Sequence, residues 1–139
     1  MTLSALRRFR TTPLALRAEP GDVVYSGPAA SACRTAATDA ATAATARGDT
    51  VGAAQWTNRA TALATVQQVA PGAVGIRWRE SQERVYFIVP GVGLVQSLHI
   101  EEFITEFSEE TDEARLYEMH LRGVEAVYAL VEGWGWSAA

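Results

Sequence analysis

Two histidines and a group of carboxylates are the side chains here most suited to chemistry. His99, Glu101 and Glu102 stand close together, and Glu118 and His120 follow. Metal sites and acid–base pairs are built from such residues. The spacing does not assemble one. Glu118 and His120 are two positions apart, which on a helix directs them about 200° from one another. There is no HExxH, no histidine pair at i,i+4 and no CxxC. His120 falls on an apolar stripe and reads as a core histidine. Cys33 is the one cysteine; in an alanine-rich helix it reads as a small apolar residue rather than a nucleophile. Gly91-Val92-Gly93 sits between two strands, not before a helix. Ser26-Gly27 opens a helix but lacks the glycines and lysine of a phosphate loop. No catalytic, metal-binding or cofactor-binding residue is expected, and the chain reads as a non-enzyme. A small enzyme without a recognisable motif is the remotest alternative.

Two other groups suit recognition. Arg77, Arg79, Arg84 and Tyr86 fall on neighbouring strands, where alternation puts guanidinium groups beside an aromatic ring. Sheet-based nucleic-acid binders combine phosphate contacts and stacking in that way. Arg7, Arg8 and Arg10 form a basic arm that could add to it. Against nucleic acid stand Glu80 and Glu83 in the adjoining turn, a net charge of −4 and the lack of a known binding signature. The second group is Trp134 and Trp136 with the acidic residues Glu109, Glu110 and Glu113. Tryptophan is enriched where proteins grip one another.

Charge is distributed unevenly. Residues 1–100 hold ten Arg against six acids, +4; residues 101–139 hold two Arg against ten acids, −8. Such a dipole favours self-association or docking to a charged partner. Every cation is arginine, in keeping with a GC-rich bacterial or phage gene. No apolar run approaches the roughly 18 residues of a membrane span, so no membrane partner is expected. The stretch MTLSALRRFRTTPLALR lacks the apolar core of a secretory signal. A cytoplasmic location is expected.

The elements that must position these residues form one domain of 139 residues, large enough to fold without disulfides. The expected class is α+β. Residues 1–25 are the basic arm and, at Val23-Val24-Tyr25, a short edge strand. Residues 26–70 are an αα-hairpin. Its first helix is expected to run from Pro28 to about Arg47 and stop at Gly48. Its second follows a cap at Asp49 or Thr50 and runs to Val69. Ala29, Ala32, Ala36, Ala40, Ala43 and Ala44 are the expected smooth face of the first helix; Trp56, Ala60, Leu63 and Val66 or Gln67 line the second. Residues 73–100 are a three-stranded antiparallel meander with turns at residues 80–83 and 90–93, its middle strand apolar on both faces. Residues 101–139 are an acidic helical region. A helix from Glu101 to Phe107 precedes one running from Ser108 or Thr111 to about Glu132, with Leu116, His120, Val124, Val127 and Val131 facing the core.

From these residues the chain is expected to be a non-enzymatic protein-interaction protein, a homo-oligomer or a subunit of a larger assembly. The alternative is a nucleic-acid-binding module using the arginine-bearing hairpin.

Overall fold

A computed structural model of the chain describes residues 10–13, 17–91 and 94–138, with the backbone alone for residues 10–13, 94 and 95. Arg7, Arg8, Val92 and Gly93 lie outside the described residues. The fold is α+β: an N-terminal helix pair, an antiparallel sheet and C-terminal helices.

Among the described residues the sheet holds six strands: β1 (Arg10–Pro13), β2 (Val23–Ser26), β3 (Gly75–Arg79), β4 (Arg84–Ile88), β5 (Leu94–His99) and β6 (Ser137–Ala138). Their order is β1-β5-β4-β3-β2-β6. The expected meander is its centre, with Ile76 opposite Phe87 and Val85 opposite Leu98. Two outer additions extend it. Arg10 pairs with Ser97 through β1. β6 pairs with Tyr25 and Ser26, so β2 is only half an edge. A two-residue strand carries no periodicity, which is why β6 is invisible in the sequence.

The helix pair consists of α1 (Ala30–Ala46) and α2 (Thr50–Val69). The Asp49 side chain accepts the Gly52 amide at 2.9 Å and caps α2. Helix α1 has no side-chain cap. Its entry is tied instead to the segment before β3, through Gly27 N–H to Val74 O and Ala30 N–H to Ala73 O. The expected alanine face of α1 is out of phase. The buried residues are Ala30, Cys33, Ala37 and Ala44, while Ala32, Ala36 and Ala43 are exposed. Alanine on every side leaves little hydrophobic contrast to phase the helix. In α2, Leu63 and Val66 are buried as expected.

The C-terminal region departs further from expectation. After α3 (Ile100–Phe107), the single last helix is two: α4 (Glu113–Arg122) and α5 (Val124–Trp134). Gly123 breaks them apart with φ 58° and ψ −119°, a combination that side-chain-bearing residues avoid. The expected core stripe is therefore cut. Val127 and Val131 are buried in α5, but Leu116, His120 and Val124 are only half-buried, and α4 buries no residue at all.

All of the helices contribute to one core against a single sheet face, the one carrying Ile76, Trp78, Val85, Phe87 and Leu98. Phe87, Phe103, Phe107, Trp134 and Trp136 form a chain of ring contacts with centroids 5.0 to 6.3 Å apart.

Candidate interaction surface

The face of the sheet turned away from the helices carries Arg77, Arg79, Arg84, Tyr86 and Ser97. Strand register sets Arg77 opposite Tyr86, Arg79 opposite Arg84 and Tyr86 opposite Ser97. The four predicted recognition residues do share one face. Two of them are not on the surface: Arg79 is 2% exposed and Tyr86 5%. Arg79 grips Asp22 with Nη2 at 3.0 Å and Nε at 3.2 Å, donates to the Arg17 carbonyl and lies 3.3 Å from Glu19. Its guanidinium also stands 5.4 Å from the centre of the Tyr86 ring. The Tyr86 hydroxyl donates to Gln82. Arg77 adds a longer contact, 3.9 Å, to the same Asp22 carboxylate, and Arg84 Nε donates to Ser97 Oγ at 3.3 Å.

The turn signal Glu19-Pro20-Gly21-Asp22 thus supplies the counter-charge for β3. The Arg79 hydrogen bonds hold the Asp22 carboxyl below its ordinary range, outweighing the opposing effect of burial. The same bonds raise Arg79. Much of the arginine pattern is internal neutralisation, which periodicity alone does not reveal because the partners are 57 residues apart.

Trp134 and Trp136 fold back into their own chain, 4% and 0% exposed. Trp136 Nε1 donates to the Pro28 carbonyl at 2.8 Å. The approach is so close that a Cβ on Gly27 would lie 2.6 Å from the Gly135 oxygen and 2.9 Å from the Trp136 ring. Of the acids expected to accompany them, two share a cavity with Trp134. Glu109 and Glu110 line a cavity of about 320 Å³ that also touches Arg59 and the edge of Trp134. Glu110 reaches Arg115 at 3.7 Å. Glu113 is exposed in the first turn of α4.

The two histidines have different settings. His99 is the N-cap of α3, its Nδ1 accepting the Glu101 amide at 3.2 Å and its Nε2 lying 3.4 Å from Glu83. His120 borders a cavity of about 380 Å³ shared with Glu80, Glu83 and Glu101. Its Nε2 is buried and meets no hydrogen-bond partner among the described residues. No group of three or more His, Cys, Asp or Glu among the described residues is placed to hold a metal. No described helix is long and apolar enough to cross a membrane.

The surface missed in the sequence is the outer side of α4. Tyr117 and Leu121 are 63% and 70% exposed. They stand four positions apart on one helix face, roughly 150° round from Leu116 and Met119, which lean on the core. The stripe borders the His120 cavity, whose floor includes Trp78 and Ile100. The signal was present as an apolar pair at i,i+4, but it was absorbed into an assumed longer core helix.

The chain matches no protein-family model, no curated protein and no solved structure.

Proposed function

We propose that this chain is a non-enzymatic protein-interaction protein that associates with a second copy of itself through α4. The observation that carries this reading is a ten-residue helix with no buried residue and two large exposed apolar side chains on its outer face. Isolated helices shorter than about 12–15 residues are marginal in water, and most helical stability in proteins comes from burying one face. Of the described hydrophobic residues of α4, Leu116 and Met119 lean on the chain's own core.

The charge on α4 favours a second copy as the partner. Its first turn is acidic, with Glu113 behind the Asp112 cap, and its last turn holds His120 and Arg122. Two such helices packed antiparallel bring each acidic end against the other's basic end, the self-complementarity that a two-fold interface requires. The recess lined by Trp78 and Ile100 lies beside the stripe and offers space for an incoming side chain.

The contact is small. Tyr117 and Leu121 together expose on the order of 250 Å² of side chain per copy, worth about 6 kcal/mol if fully buried. Association itself costs about 4–15 kcal/mol. A weak dimer that depends on concentration is expected. Sedimentation equilibrium over roughly a hundredfold range of concentration tests it. A mass that rises toward twice the chain mass, and that stays at one chain mass in Leu121→Asp, supports the reading. A monomer at every concentration overturns it.

A further inference from the structure

A cleft of about 660 Å³ opens between α1, α2 and α5. Its walls are mostly apolar and include Cys33, Ala36, Leu63 and Trp134. This volume falls within the range of small-molecule sites.

One cation lines it. Arg59 is half-buried, with its guanidinium carbon 4.5 Å from the centre of the Trp56 ring. On the α5 side it lies so close to Gly133 that a Cβ there would stand 3.4 Å from Arg59 Nε. The guanidinium is therefore positioned by an indole on its own helix and by bare backbone on the next. Among the described residues, no carboxylate comes within ion-pair range and no acceptor takes its N–H groups. An arginine fork held in place beside an apolar cavity has its donors available for an anion.

We propose that this cleft binds a small apolar monocarboxylate, with the carboxylate on Arg59 and the hydrocarbon or aryl body against Ala32, Ala36 and Trp56. The charge on the walls argues for a monoanion. Glu132 also lines the cleft, and no second cation does, so a doubly charged phosphate would meet one arginine and a repelling carboxylate. The thiol takes no covalent part. Cys33 Sγ donates to the Pro28 carbonyl at 3.4 Å, and burial raises its pKa, which keeps it protonated and unreactive.

Isothermal titration with phenylpropionate, its neutral amide and phenylpropylamine tests this proposal, which is independent of self-association. The acid should bind saturably and about tenfold more tightly than the amide, with the amine weakest, because one charge-assisted bidentate contact distinguishes them. Arg59→Gln should remove the preference for the acid. Arg59→Lys, which keeps the charge without the fork, should retain part of it and serves if the glutamine variant is unstable. Glu132→Gln should tighten the acid about threefold by removing a like charge. Ala36→Phe, which fills the cleft, should abolish binding of acid and amide alike. Absence of saturable binding, equal affinity for acid and amide, or binding that survives Ala36→Phe would overturn it.

Discussion

Arg79 and Asp22 meet fork to fork across 57 residues, joining the turn before β2 to the end of β3. Both side chains are buried, at 3% and 6% exposure. Replacing Asp22 by Asn leaves a buried guanidinium with Glu19 as its remaining carboxylate. The expected loss of stability is about 2–3 kcal/mol, measured by urea unfolding at neutral pH. An unchanged midpoint would show that the pair contributes nothing net.

The same pair predicts a pH dependence. The Asp22 carboxyl is held below its ordinary value in the folded chain by the Arg79 hydrogen bonds. A depressed folded pKa adds stability above the unfolded value, near pH 4, and loses it as pH falls toward the folded value. Stability should therefore drop below about pH 4 more steeply in the natural chain than in Asp22→Asn. Parallel curves for the two proteins would assign acid sensitivity to other carboxylates.

Leu121→Asp separates association from folding. Leu121 is 70% exposed, so the change should move the monomer's melting temperature little, within about 0.5 kcal/mol. It should abolish any dimer. A large loss of monomer stability would instead place Leu121 in its own chain's packing.

Gly123→Ala tests the break between α4 and α5. With φ 58° and ψ −119° at this position, an alanine should cost about 2 kcal/mol of strain. A stabilised variant with higher helical circular dichroism would mean that α4 and α5 join into one continuous helix.

Trp136→Phe removes the Nε1 hydrogen bond to Pro28 while keeping a ring in the core. The expected cost is about 1–2 kcal/mol from the lost bond. Trp136→Ala should cost about 3–5 kcal/mol, because it also leaves a cavity. Thermal melts of the two variants read the difference, and equal costs would show that the bond to Pro28 adds little.

The sequence showed the centre of this fold well and its edges poorly. The meander was legible because Ile76 and Trp78 alternate with Arg77 and Arg79 and because β4 is a β-branched and aromatic run between two turn signals, and the helix pair because Gly48 and Asp49 mark its turn. The phase of α1 was not, since alanine surrounds it. The break at Gly123 was missed because one glycine in an amphipathic run is usually tolerated. For the surface, sharing of a face by Arg77, Arg79, Arg84 and Tyr86 followed from alternation. That Asp22 neutralises Arg79 did not, because tertiary contact and not spacing brings them together. Arg59 gave no signal as a lone charge in a helix; its setting exists only once α5 lies beside it.

The order of the strands in space also implies an order in time. β3, β4 and β5 are joined by short connections, and the helix pair closes on a three-residue turn, so both can form from local contacts. β2 must wait for the return of the chain after α2, and β6 reaches it from more than a hundred residues away. Closing longer loops costs more entropy before contacts compensate. The Trp136–Pro28 clasp is accordingly expected to close late in folding, a latch shutting on a core already assembled.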